Sequence, residues 1–166
     1  AVMSLDNVIA VAAAAKGDTL LVLDDDSWPD GPSLCAAVDT LAARPSLAAV
    51  ALLPVHPSSR RAEWRHEAEP DAFPLMGCGN LVRTDVWRDF GGYEPTFFLY
   101  RNDTDLALRL LATGRGVAFN PAWIVWHDSP TTRRKSERWL RLATRNWLWL
   151  CRRHGEGLPA LGGMAL

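Results

Sequence analysis

The chain has 166 residues, of which 48% are hydrophobic, and a formal net charge of −1. This length fits one domain, and the near-zero charge gives no sign of a nucleic-acid-binding protein. The cysteines are odd in number and lie far apart, at Cys35, Cys78 and Cys151, which argues against a disulfide framework or a structural zinc site and favours the cytoplasm. No apolar stretch approaches the ~20 residues of a membrane span.

The first half of the chain alternates helix and strand. Apolar patterning and turn residues predict a helix over 7–16, a buried strand over 19–23, a helix over 32–43 and a buried strand over 47–55. This α-β-α-β order predicts a parallel or mixed α/β sheet. Because such a sheet normally has earlier strands, we expect the sequence to be a piece of a longer protein.

The second half is more irregular. Residues 56–76 are polar and interrupted by prolines, and we expect a long surface loop or an irregular strand pair there. One domain over 1–154 and a flexible tail over 155–166 are expected. The elements predicted in between are a short helix over 85–90 capped by Thr84, a helix over 104–113 capped by Thr104, short strands over 116–119 and 123–126 on either side of Asn120-Pro121, and a long helix over 134–153.

Three consecutive aspartates follow the first predicted strand. Asp24, Asp25 and Asp26 lie at its C-terminal end, where open α/β sheets bind ligands. Because side chains alternate along an extended backbone, Asp24 and Asp26 are expected to point the same way and Asp25 the opposite way. Two carboxylates on one side suit Mg²⁺ or Mn²⁺. An acidic turn without a function is equally compatible with the triplet.

Two further polar positions are candidates for the same site. Asp103 lies at the start of a predicted helix, where it either caps the helix or acts as a general base held on rigid structure. Asp105 is expected to pair with Arg109, four residues further on. His127 ends the last short strand, and we interpret it as a metal ligand only if that strand end faces the aspartate triplet.

Glycines at positions 77 and 79, in Gly77-Cys78-Gly79-Asn80, allow a backbone to approach a ligand closely. Cys78 has no histidine partner placed by the sequence, so it is a weak candidate for a nucleophile.

The helix predicted over 134–153 is basic and amphipathic. Its arginines Arg138, Arg141, Arg145 and Arg152 fall within about 60° of arc at 100° per residue. This pattern is typical of a surface helix packed on a sheet. The alternative is a peripheral contact with the inner face of a membrane, where arginine and tryptophan suit the headgroup region.

Taken in order, these motifs resemble the family 2 glycosyltransferases, which have the GT-A fold. The resemblance covers about residues 6–154. Within the family, the pattern is most similar to the rhamnosyl- and galactofuranosyltransferase-like branch. The motifs that carry it are Asn7 to Asp18, Leu21 to Asp26 with Pro29, Gly77 to Asn80, Gly91 to Glu94, Phe97 to Tyr100, Asn102 to Leu106 with Arg109 and Gly114, Pro121, and His127.

The resemblance implies a fold and a metal centre. The fold would be a Rossmann-like mixed sheet with flanking helices, lacking its N-terminal nucleotide-binding half. Asp24 and Asp26 would match the DxD motif of the family. Together with His127 they would hold Mn²⁺ or Mg²⁺ on the diphosphate of a nucleotide-sugar donor.

The resemblance also implies a reaction. Asp25, Gly79 and Asn80 would contact the donor. Asp103 would match the catalytic base, which takes the proton from a hydroxyl of a glycan or lipid-linked acceptor, and the sugar would be transferred with inversion. The family usually has glutamate where this chain has Asn102, so a charge beside the base is missing.

Two other functions stay open. A metal-dependent nucleotidyltransferase or phosphohydrolase would use the same acidic strand end and would differ in its product. A non-catalytic carbohydrate-binding module derived from the same fold is compatible with Asn102 and with the early position of the acidic strand.

Overall fold

The structure is a computed structural model that describes residues 18–63, 75–129 and 136–155. The helix expected over 7–16 and the tail from residue 156 onward lie outside the described residues. The elements are β1 (Thr19–Val22), β2 (Ser27–Pro29), α1 (Gly31–Ala43), β3 (Leu47–Val55), β4 (Asn80–Arg83), α2 (Thr84–Asp89), a 3₁₀ turn (Pro95–Phe97), α3 (Asn102–Ala112), β5 (Gly116–His127) and α4 (Glu137–His154).

The strands form one mixed sheet in the order β1-β4-β3-β5-β2. β3 and β5 run parallel, and the other neighbouring pairs are antiparallel. All nine residues of β3 are buried, because helices cover both faces of the sheet. Leu41 of α1 lies in the core on one face, and Val86 of α2 and Leu106 of α3 lie in the core on the other.

β5 corrects the prediction of two short strands. It is one strand of twelve residues that runs through Asn120-Pro121. The pairing with β3 shifts register there, since Ala51 is opposite Phe119 while Leu53 is opposite Ile124. Such an irregularity accommodates a proline, which has no N–H to give to the ladder. The prediction was wrong because a proline ends a strand only where its missing N–H is needed.

A short edge strand, β2, was not predicted. It pairs with the end of β5, placing Ser27 opposite His127 and Trp28 opposite Trp126. Three residues carry too little pattern to be recognised as a strand without their partner. This pairing decides where the acidic triplet lies, because β2 begins directly after Asp26.

The helices mostly begin close to their predicted starts. Asp30 caps α1 by accepting from the Ser33 N–H at 3.2 Å, and Ser136 caps α4. Two predicted caps were wrong. Thr84 is the first residue of α2, whose cap residue is Arg83, and α3 begins at Asn102 with Arg101, not Thr104, as its cap residue. None of the described helices has the length and apolar character needed to cross a bilayer.

Candidate metal and catalytic site

The acidic triplet occupies a tight turn between β1 and β2. The Ser27 N–H donates to the Asp24 carbonyl at 3.1 Å, and the Asp24 N–H donates to Ser27 Oγ at 3.0 Å. Asp24 and Asp26 point to the same place, as predicted, although the turn and not an extended backbone brings them together. Asp25 lines the same cleft but is not part of this group.

His127 completes a group of three candidate metal ligands. One atom from each of Asp24, Asp26 and His127 lies within 4.8 Å of the other two. His127 Nε2 is 3.1 Å from Asp26 Oδ1. The antiparallel pairing of β2 with β5 brings the histidine to the aspartate triplet. The end of β5 therefore faces the triplet, which was the condition for interpreting His127 as a metal ligand. Two carboxylate oxygens and one imidazole nitrogen form a donor set that Mn²⁺ and Mg²⁺ accept.

Glu63 orients the histidine and was not identified from the sequence. Its Oε1 contacts His127 Nδ1, while its backbone N–H donates to the Pro54 carbonyl at 3.0 Å. A carboxylate on Nδ1 fixes the tautomer that leaves Nε2 free to bind a metal. Glu63 lies in the polar stretch after β3 that we expected to be a surface loop or an irregular strand pair, and no motif marks it.

The site carries excess negative charge. Burial raises the pKa of Asp24 from 3.8 to about 6, the charge of His127 opposes this, and Asp26, Asp103 and Asp25 raise it further. A divalent cation bound between these carboxylates would remove the unfavourable charge, so the electrostatics fit the donor set.

The same carboxylates affect the pKa of His127. Burial lowers the pKa of His127, but the hydrogen bond and charge of Glu63, followed by Asp26 and Asp24, outweigh burial, and the net shift is upward. Protons therefore compete with a metal for this imidazole more strongly than they would at an isolated histidine.

Asp103 lines the same cleft as the metal group. A Cβ placed on Gly77 would lie 3.7 Å from Asp103 Oδ2 and 3.9 Å from Asp24 Oδ2, so the two carboxylates converge on the Gly77 backbone. Asp103 Oδ1 accepts from the Thr104 N–H at 2.6 Å. Burial raises the pKa of Asp103, while the hydrogen bonds from Thr104, the charge of Arg101 and the Gly77 N–H oppose the rise.

Asp105 holds the start of α3 in place. Its Oδ2 accepts from Arg109 Nε at 2.8 Å, which confirms the predicted ion pair. Its Oδ1 lies 2.8 Å from His154 Nε2 and 3.2 Å from Arg153 Nε. Because Arg153 and His154 end α4, this buried carboxylate joins two helices directly behind Asp103.

The glycine motif supports the site from behind. Asn80 is fully buried; its Oδ1 accepts from the Met76 N–H at 2.7 Å. A Cβ on Gly79 would lie 2.6 Å from Val125 Cγ1, so close packing against β5 requires this glycine. Of the described residues in this motif, Gly77 and Cys78 line the cleft, and Gly79 and Asn80 do not. Burial raises the pKa of the Cys78 thiol well above its usual range, which disfavours a nucleophilic thiolate.

The cleft that contains these groups has a volume of about 540 Å³. The metal group forms one wall. A second wall comes from the segment before α3 and from the start of α4, where the rings of Tyr100 and Trp139 lie 5.6 Å apart. Arg101 and Arg138 also line this wall.

The chain has the fold of a glycosyltransferase domain. It is similar to a mannosyltransferase from Pyrobaculum calidifontis, solved in complex with GDP-mannose and Mn²⁺, with a TM-score of 0.52 and 16% sequence identity. The match covers 91% of this chain and 55% of the mannosyltransferase chain, so the chain spans about half of that protein's length. No known family model matches the sequence, and no curated protein matches it. The expected fold class is thus confirmed, while family 2 and its branch stay predictions.

Proposed function

We propose that the chain belongs to a metal-dependent glycosyltransferase of family 2 that moves a sugar from a nucleotide-diphosphate donor to an acceptor hydroxyl with inversion. One observation carries the proposal. A metal-type group, Asp24, Asp26 and His127, shares a cleft with a partly buried carboxylate, Asp103, in a glycosyltransferase fold. The similar mannosyltransferase was solved with a nucleotide sugar and Mn²⁺, which supports the same class of donor here.

Asp24, Asp26 and His127 would hold Mn²⁺ or Mg²⁺. Such an ion neutralises the charge that develops on a departing nucleoside diphosphate. Glu63 keeps the imidazole oriented for this task through its contact with Nδ1. Asp25, which lines the cleft next to this group, would accept from a donor hydroxyl.

Asp103 would act as the general base. Its carboxylate oxygen would take the proton of the acceptor hydroxyl while that oxygen forms a bond to the anomeric carbon and the bond to the diphosphate breaks. Burial raises the pKa of Asp103 toward the working pH, which favours proton transfer. The proposed acceptor is a saccharide, free or lipid-linked, whose ring would lie against Tyr100 and Trp139.

The acceptor and donor roles can be separated by two substitutions. Asp103→Asn should retain Mn²⁺ and donor binding but lose turnover by about 10²–10⁴-fold. Asp26→Ala should lose metal-dependent donor binding. Asp39→Asn, at an exposed position of α1, is the matched control. Transfer from a panel of nucleotide sugars to saccharide acceptors is the assay, and normal turnover by Asp103→Asn would show that the base is another group.

The same assay distinguishes the alternatives. Release of phosphate or synthesis of a free nucleotide sugar, without transfer to an acceptor, would identify a phosphohydrolase or a nucleotidyltransferase. If Mn²⁺ and nucleotide sugars failed to raise the melting temperature, the chain would be a non-catalytic module.

A peripheral membrane contact through α4 is a further part of the proposal. Its solvent face combines Arg141 and Arg152 with large apolar side chains that are exposed: Leu140 by 53%, Leu148 by 46% and Trp149 by 38%. Arginine pairs with anionic headgroups, and leucine and tryptophan enter the headgroup boundary.

Sedimentation with lipid vesicles tests this contact. The chain should bind vesicles that contain phosphatidylserine, bind less as salt is raised, and ignore neutral phosphatidylcholine vesicles. Leu148→Glu should abolish binding. Equal binding to both vesicle types, or to neither, would remove α4 as a membrane surface.

A further inference from the structure

A strained backbone segment forms the wall of the cleft beside Asp103. Phe98, Tyr100 and Arg101 have φ angles of 58°, 70° and 69°. Positive φ is unfavourable for residues with a Cβ, and three such residues within four positions persist only when the surroundings hold them.

The side-chain amide of Asn146 lies at the centre of this segment. Asn146, on α4, is fully buried. Its Nδ2 donates to the carbonyls of Phe97 and Tyr100, each at 2.7 Å, and also to that of Leu99. One amide group thus gathers the carbonyls of a segment that lies 46–49 residues earlier in the chain.

Arg145 fixes the orientation of this amide. Its Nε donates to Asn146 Oδ1 at 2.9 Å, and its Nη2 donates to the Phe97 carbonyl at 3.1 Å. Because the oxygen of the amide already accepts from Arg145, its nitrogen faces the carbonyls, as their chemistry requires.

The segment carries parts of the site, whereas Asn146 does not touch the cleft. Leu99, Tyr100 and Arg101 line the cavity, and Asn146 is not among its lining residues in the described chain. Arg101 is also the residue from which α3 starts, and its carbonyl accepts from the Asp105 N–H at 2.9 Å. The conformation of the segment therefore determines where this wall lies relative to Asp103.

We propose that Asn146 is a positioning residue that holds 98–101 in its strained form and thereby builds the acceptor side of the cleft. The acceptor role rests on the proposed function, whereas the conformational role does not. A carboxylate at position 146 would repel three carbonyls, and an apolar side chain would remove the hydrogen bonds that they receive from the amide.

Two substitutions and one control test the proposal. Asn146→Asp and Asn146→Leu remove the donor in different ways. Thr144→Ala, at an exposed position on the same helix, is the control. Hydrogen exchange of the whole chain should become faster by at least about tenfold for amides of 98–101 in both variants. Exchange in β3 should stay as in the parent chain.

Ligand measurements separate positioning from a general loss of stability. Mn²⁺ affinity should change less than about twofold, since the metal group lies on the other wall. In the transfer assay, the KM for the acceptor should rise by about tenfold or more while the KM for the donor stays near its parent value.

The outcomes distinguish this inference from the proposed function. Unchanged exchange at 98–101 in both variants would overturn it. Faster exchange in 98–101 and β3 alike would also overturn it, because Asn146 would then support the whole fold. If the parent chain transferred no sugar, the proposed function would fail while the exchange and Mn²⁺ measurements still decide the role of Asn146.

Discussion

The ion cluster around Asp105 allows a quantitative test of how α4 is fastened to the site. Asp105 is fully buried, and two guanidinium groups and one imidazole reach it: Arg109 at 2.8 Å, Arg153 at 3.2 Å and His154 at 2.8 Å. Asp105→Asn keeps the shape of the side chain and removes its charge, so it tests the charge with little change in packing.

The expected loss in the free energy of unfolding depends on the hydrogen bonds and hydration that the two arginines retain. Removing one partner of a buried ion pair costs about 3–5 kcal/mol. Arg109 keeps the carbonyls of Phe90 and Gly92, at 2.6 and 2.7 Å, and the Arg153 side chain is 44% exposed and can be hydrated. The lower end of the range, about 3 kcal/mol, is therefore appropriate. For a chain of this size that is a fall of about 6–12 °C in melting temperature.

Thermal unfolding followed by circular dichroism at pH 7.5 measures this difference. Asp39→Asn, which removes an exposed carboxylate from α1, should shift the melting temperature by less than about 2 °C. If the melting temperature of Asp105→Asn fell no further than that of this control, the cluster would contribute no net stability and the argument from buried charge would be wrong.

Three other perturbations test the metal group and the sheet. Burial raises the pKa of Asp24 to about 6, so protons compete at this ligand below that pH, and Mn²⁺ should bind at least about tenfold more weakly at pH 5 than at pH 7.5 by electron paramagnetic resonance. Glu63→Gln should weaken Mn²⁺ binding by about 10–100-fold, because the negative charge beside His127 Nδ1 is lost. Gly79→Ala would place a methyl group 2.6 Å from Val125 Cγ1, and should lower the free energy of unfolding by about 1–3 kcal/mol in urea titrations.

The pKa of Asp24 also affects the stability of the chain without metal. Its pKa is higher in the folded chain, so its favourable contribution is complete below pH 3.8 and is lost as the pH rises through about 6. Added Mn²⁺ should therefore raise the melting temperature more at pH 7.5 than at pH 5, and a pH-independent effect would place the ion elsewhere. Gly31→Ala, where nothing lies within 4 Å of the added carbon, is the control for Gly79→Ala.

Local patterns were sufficient for the central elements of the fold. The strand β3 has the predicted bounds, since nine residues without a charged side chain must be buried on both faces. The grouping of Asp24, Asp26 and His127 also agrees with the prediction that the two aspartates share a side and that His127 joins them if its strand end faces the triplet. The turn that produces it was not predicted, because it depends on the pairing of β2 with β5, and pairing between strands about 100 residues apart leaves no local signal.

Most of the residues that support the site could not be identified from the sequence. Glu63 reaches His127 from 64 positions earlier in the chain, and Asn146 reaches Phe97 from 49 positions later. Thr104 has the composition of a helix cap, yet α3 begins two residues earlier. Capping preference could not foresee that Arg101, in a left-handed conformation, would start the helix there.

The two walls of the cleft depend on different parts of the fold. The metal wall is assembled by β2, β5 and the Glu63 turn, which converge on His127. The wall beside Asp103 is held by α4, through Asp105 at the start of α3 and through Asn146 at the strained segment. Because the contacts of Asp105 and Asn146 described above all lie on the side of Asp103, damage to α4 should impair the proposed base and acceptor side while Mn²⁺ still binds. Loss of both properties in Asp105→Asn or Asn146→Leu would mean that the cleft is one cooperative unit.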